Sequence, residues 1–427
     1  MTSEYRVFRG WWIVAVAIVG QCFGLAPLLV YTFGIFAKPL AQEFHTNRGS
    51  IALAVSLLDV VLTFAAPGAG RLADRYGARR ITVISYFGLA AALVGLSFAR
   101  PPLSILYALY AIAGLLGIAT SPVTFSRVVA NWFDKKRGLA LGLASTGIGL
   151  GAFIMPSLTQ FLIDEGGWRR AYLGLAVMSL VIGLPVVWMF LKGSPEEVGL
   201  LPDGIPAPSV ISGTGPRAGM RVSEAMRTLT FWQLCAVFFC VAACANGAIA
   251  HIAPLLSDRG VSGRTAALAA SLFGAASIVG RVVNGYLVDR FFAPRVAAVL
   301  FGGATAGVAI LWSGLTGGAV FLAAALLGLA IGAESDVMPF LVSRYFGMRS
   351  MAELYGCIFG SYTLGNATGR YLFGTGFDAT GSYRTPLACA FGVLVLAVIA
   401  TLSLGKYRAV PETEPAIIAE ALSPNVT

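Results

Sequence analysis

Charge is what this chain has least of. Asp, Glu, Lys and Arg make up 12% of its 427 residues, about half the share found in soluble domains. That scarcity excludes an ordinary soluble enzyme and a charged disordered tail. Histidine is nearly missing, with two in the whole chain. The six cysteines, Cys22, Cys235, Cys240, Cys244, Cys357 and Cys389, all fall in apolar runs without metal-ligand spacing. They read as small buried hydrophobes, so neither a metal site nor a disulfide framework is expected. There is no G-x-x-x-x-G-K phosphate loop and no nucleophile elbow. Enzyme chemistry, ATP-driven transport by this chain and a bound cofactor are therefore not expected.

What is abundant is apolar surface. Hydrophobic residues make up 57% of the chain and mean hydropathy is +0.80. At about 20 apolar residues per crossing, that is enough for about twelve membrane-spanning helices. Apolar runs bounded by charge or Gly/Pro signals fall at 11–36, 50–70, 80–99, 103–127, 138–163, 171–191, 231–256, 265–288, 296–313, 318–343, 352–376 and 386–404. The first run is too long for the apolar core of a cleaved signal peptide and is expected to remain as helix 1. The 51 glycines suit close helix approach in lipid.

The net charge of +10 is read as loop anchoring against an anionic leaflet rather than nucleic-acid binding. With both termini inside, 20 of the 30 Lys/Arg residues fall on the inner side and nine on the outer, with Arg281 left inside a span. This bias predicts an even number of spans and cytoplasmic termini.

The chain also repeats itself. Gly70-Arg71-Leu72-Ala73-Asp74-Arg75-Tyr76 recurs as Gly285-Tyr286-Leu287-Val288-Asp289-Arg290-Phe291, and Trp132-Phe133 recurs as Tyr345-Phe346 at nearly the same offset. Two six-helix halves in parallel repeat are expected, an arrangement of transporters that rock about a midplane site. The division predicted is an N-terminal bundle over 1–191, a Pro-rich cytoplasmic linker over 192–230, a C-terminal bundle over 231–405 and a cytoplasmic tail over 406–427. Within the linker, 222–229 has the pattern of a short interfacial helix.

The stretch Gly70-Arg71-Leu72-Ala73-Asp74-Arg75-Tyr76-Gly77-Ala78-Arg79-Arg80 resembles the helix 2–3 loop motif of the major facilitator superfamily. Arg9-Gly10-Trp11-Trp12, the run Tyr31 to Phe36 and the run Asn131 to Gly142 resemble its monocarboxylate transporter and oxalate/formate antiporter branch. The resemblance implies an all-α fold of twelve transmembrane helices in two pseudo-symmetric bundles. It implies that Gly70, Asp74, Arg75, Gly77, Arg79 and Arg80 latch a gate, with Asp289 and Arg290 as their repeat counterparts. It also implies that Arg281 anchors a substrate carboxylate. An acid one turn before that arginine is common in the branch; here the position is Ser277, which weakens the case for proton coupling through helix 8.

Charges within spans are costly and point to function. Arg281 is flanked at helical spacing by Ser277 and Asn284, forming one polar stripe. A guanidinium holds a carboxylate with two parallel hydrogen bonds; the plainer role is an ion pair with helix 10. Glu334 and Asp336 lie about 200° apart around helix 10, so at most one faces Arg281. Asp59 lies mid-helix 2. These three acids are the candidate proton carriers. Tyr31, Tyr362 and Asn366 are further candidates for lining the cavity, since a Tyr hydroxyl or an amide can donate to a carboxylate.

The function expected is secondary transport of a small organic anion, most simply a monocarboxylate, with proton symport. The alternatives are exchange for a counter-anion, or proton-driven efflux of hydrophobic or cationic compounds. The expected setting is a monomer in the bacterial inner membrane, with membrane lipid as partner and no nucleic acid.

Overall fold

The computed structural model describes residues 8–205 and 218–407. Arg6, Arg408, most of the predicted tail and the linker prolines at 206, 208 and 216 lie outside them. Among the described residues the regular structure is helical, apart from isolated bridge residues at Leu200 and at the antiparallel pair Gly219 and Gly347.

Ten stretches are long and apolar enough to cross a membrane. One of them, Arg137–Phe190, is two crossings joined at Gly167, whose φ of 77° suits a residue without a side chain. Met351–Thr380 is long enough as well but carries more polar residues. The described residues thus contain twelve spans. We label them α1 Arg9–Glu43, α2 Arg48–Tyr76, α3 Ala78–Ser97, α4 Leu103–Trp132, α5 137–166 and α6 168–190, α7 Leu229–Ala250, α8 Gly263–Val288, α9 Ala293–Ser313, α10 Gly318–Phe346, α11 Met351–Thr380 and α12 Arg384–Leu402.

The sequence-based bounds differ most at α1, which continues past 36 to Glu43. A π turn over Ala26–Val30 follows a break after Cys22, and Pro27 and Pro39 lie within the helix. A proline removes a backbone donor and bends a helix without always ending it. The expected interfacial helix over 222–229 is a single turn, Val222–Ala225. It stops because Thr228 caps the next helix, its hydroxyl accepting from Phe231 N–H at 3.3 Å. Cys389 is exposed rather than buried.

Packing follows the repeat. Between the halves, α2 packs along α11, while their repeat counterparts α8 and α5 pack along each other. Within the second half α8 lies against α10. A Cβ at Gly332 of α10 would sit 2.0 Å from the Ser277 carbonyl oxygen, so the two backbones meet because a glycine is there. This contact sets Arg281 beside the middle of α10.

Candidate functional site

Arg281 is the centre of a buried polar cluster. Its guanidinium donates from Nη1 to Ser335 Oγ at 2.7 Å and to Asp336 Oδ1 at 3.4 Å. The Ser335 hydroxyl also donates to Asp336 Oδ1 at 3.1 Å. Asp336 therefore faces Arg281, and Ser145 of α5, in the other half, lies beside the same carboxyl. The Nε of Arg281 is buried without a hydrogen-bond partner among the described residues. One edge of the guanidinium is thus engaged by α10 while Nε is left over. A carboxylate approaching that side would meet a charged donor in a region of low dielectric.

Glu334 points elsewhere, as the 200° offset requires. It is fully buried, and neither carboxyl oxygen has a hydrogen-bond partner among the described residues. It lies near Tyr362 of α11, which in turn is within electrostatic reach of Tyr31 and Arg281. Tyr31 sits at the break in α1, within electrostatic reach of Arg281 and Asp59. Tyr362 stacks on Phe359 at 5.7 Å and lies next to Asn366.

The remaining α8 candidates are more peripheral. Asn284 is buried, with Nδ2 3.5 Å from the Ala333 carbonyl, and Ser277 is half-buried one turn from Arg281. Gln21 instead ties α1 to α5 by donating to the Ala144 carbonyl at 2.9 Å.

Asp59 pairs with Arg370 of α11 across the two halves. The Arg370 Nε donates to its own helix at Asn366 O, 3.2 Å away. One turn further along, Thr63 and Thr363 share a hydrogen bond of 3.0 Å across the same α2–α11 seam. Sequence spacing placed Asp59 alone; its partner comes from the helix crossing, which no local pattern reveals.

At the end of the bundle where α1 begins and α12 finishes, here called the base, the halves are tied by two matching devices. The Asp74 carboxylate accepts from the first-turn amides of α11, Ala352 N–H at 3.3 Å and Glu353 N–H at 2.9 Å. The Asp289 carboxylate accepts from the first-turn amides of α5, Gly138 N–H at 2.6 Å and Leu139 N–H at 2.9 Å. An anion at a helix N-terminus satisfies orphan donors and meets the positive end of the helix dipole. Arg127 reaches Asp74 at 3.2 Å, Arg71 reaches Glu353 at 2.9 Å, and Arg344 reaches Asp134 at 3.0 Å. Sequence reading missed Arg71, Arg127, Asp134 and Arg344 because each partner lies in the other half or on another loop.

The other motif residues act within their own half. Gly77, at φ 91°, turns α2 into α3. Arg75 lies over the Tyr76 ring and Arg290 over the Tyr286 ring. Arg79 donates to the Trp188 carbonyl. Gly70 is different: a Cβ there would lie 2.1 Å from the Ala352 carbonyl oxygen. Gly70→Leu should therefore disfavour the closed base by about 1–3 kcal/mol, the usual cost of overpacking. Labelling of a Ser277→Cys reporter by a membrane-impermeant maleimide, added from the side away from the base, should slow by roughly tenfold.

A sequence model described as Major Facilitator Superfamily matches residues 19–369 and 235–421. The chain belongs to the major facilitator superfamily. Human monocarboxylate transporter 11 is 27% identical over 430 residues, spanning 95% of this chain and 85% of that protein. The oxalate:formate antiporter of Oxalobacter formigenes is 26% identical over 298 residues, spanning 68% of this chain and 66% of its own length. The crystal structure of the human organic anion transporter MFSD10 aligns with a TM-score of 0.66 at 17% identity, covering 92% of this chain and 99% of that one. That last likeness speaks for the fold alone. As a superfamily member the protein is a membrane-embedded transporter of a small molecule and not an enzyme. The base contacts give it a definite state: closed at the base.

Proposed function

We propose that this transporter moves a small organic anion, most simply a monocarboxylate, by alternating access, with Arg281 as the anchor for the carboxylate. The single observation carrying this reading is the Arg281 guanidinium, buried between the halves with its Nε unengaged. A buried donor that lacks a partner favours a ligand that supplies an acceptor. The resemblance to carboxylate transporters points the same way.

The bias of Lys and Arg toward the base makes that end cytoplasmic. The state described is then closed on the cytoplasmic side, and both termini would lie in the cytoplasm. Residues 1–191 and 231–405 would be the rocking bundles and 192–230 the linker between them. Alternating access requires the Asp74 and Asp289 caps to release when the base opens.

For coupling we favour proton symport through Glu334. A buried carboxyl without a partner is poorly tolerated as an anion, so the protonated form is the one this position accommodates. Asp336 is already held by Arg281 and Ser335, and Asp59 by Arg370. The counter-reading, efflux of a cation, rests on the same unpaired Glu334. A thermal-shift panel on the purified protein separates the two. Short carboxylates at about 100 times Kd should add about 2.7 kcal/mol of stability. A response to lipophilic cations and none to any carboxylate would overturn the anion reading.

A further inference from the structure

Arg79 and Arg80 belong to the loop motif, yet neither engages the second half. Arg79 donates to the Trp188 carbonyl in its own half, and Arg80 is exposed with no hydrogen bond or ion pair among the described residues. Both line a cleft of roughly 980 Å³ at the base, between the start of α3, the end of α6 and the chain that follows.

The walls of this cleft are sorted by chemistry. The two arginines stand at the rim. Ile84 and Trp188 also line it and are 66% and 61% exposed. Exposed Phe87, on α3, and Met189 and Phe190, on α6, continue that apolar surface. Tryptophan and arginine together mark the headgroup level of a bilayer. Glu197 lines the same cleft. It lies close to the backbone at Gly193, where a Cβ would come 2.9 Å from its Oε1. Two arginines and one carboxylate in the lining leave the cleft one net positive charge and an acceptor.

An occupant must therefore carry one net negative charge at the rim, hydroxyl donors beside it, and apolar chains below. We propose that the cleft binds an anionic glycerophospholipid with a hydroxylated headgroup. The phosphate sits between Arg79 and Arg80, the headgroup hydroxyls donate to Glu197, and the acyl chains run along Ile84 and Trp188. Basic pockets between transmembrane helices hold lipid headgroups by the same forces. The site is separate from the transport cavity and does not depend on what is transported.

The test uses the full-length protein, stripped of lipid in detergent. It is titrated with phosphatidylglycerol, phosphatidylcholine or glycerol 3-phosphate, and read by native mass spectrometry and thermal unfolding. Phosphatidylglycerol should be retained and raise the unfolding temperature. Phosphatidylcholine and glycerol 3-phosphate at the same concentration should do neither. Arg80→Gln should weaken phosphatidylglycerol retention roughly tenfold, the loss of one charge-assisted hydrogen bond. Lys136→Gln, an exposed cation at the base outside the cleft, should leave it unchanged. The unfolding temperature of lipid-free Arg80→Gln shows whether that variant is folded. Equal retention of phosphatidylcholine, an equal response to glycerol 3-phosphate, or unchanged retention in folded Arg80→Gln would each overturn the proposal.

Discussion

Arg281→Ala should reduce carboxylate uptake into proteoliposomes by a factor on the order of 10²–10³. Truncating one partner of a buried, hydrogen-bonded charge pair costs about 2–5 kcal/mol, and each 1.4 kcal/mol is about tenfold. Part of that cost would fall on the protein itself, because Asp336 would lose its cation while buried. Arg281→Ala combined with Asp336→Asn removes this complication. The double variant should recover stability and remain inactive. Arg281→Lys is the finer probe. A lysine keeps the charge but cannot present two parallel donors, so uptake should fall and affinity should weaken. Uptake at the wild-type rate in a folded Arg281→Ala protein would remove the anchor role.

Glu334→Gln should separate accumulation from exchange. The substitution keeps the shape of the side chain and removes its titratable group. With one proton carried per anion, a gradient of one pH unit corresponds to about 1.4 kcal/mol, or about tenfold accumulation. The variant should lose that accumulation, leaving the internal anion near its external concentration. Counterflow of labelled against unlabelled anion needs no net proton movement and should persist. If accumulation survives in Glu334→Gln, the proton travels elsewhere, and Asp336→Asn is the next variant to measure. If the wild type responds only to a counter-anion and never to a pH gradient, the protein is an exchanger.

The architecture was largely readable before any coordinates, for physical reasons. A bilayer demands long apolar helices, and the cost of burying charge leaves loops where charges cluster. The repeat of Gly70–Tyr76 in Gly285–Phe291 then divided twelve spans into six and six. Arg281 was readable for the same reason: an isolated guanidinium in a span is too costly to be incidental. What could not be read were pairings that depend on how helices cross. The Asp59–Arg370 bridge joins residues 311 positions apart, and the Arg344–Asp134 tie joins residues 210 apart. Asp336 and Glu334 were separable only as opposite faces. The contact at Gly332 fixes which of them meets Arg281. The loop motif was read as one gating unit, yet it divides. Gly70 and Asp74 contact α11, while Arg79 and Arg80 turn away toward the cleft between α3 and α6.

Counterflow in proteoliposomes tests the central claim most directly. Vesicles holding the purified protein and an unlabelled short carboxylate are diluted into labelled carboxylate, for wild type and for the Arg281→Ala, Asp336→Asn double variant. Transient, saturable accumulation of label in wild-type vesicles and none in the variant is the predicted result. Accumulation of equal size in both, with each protein folded, would contradict it.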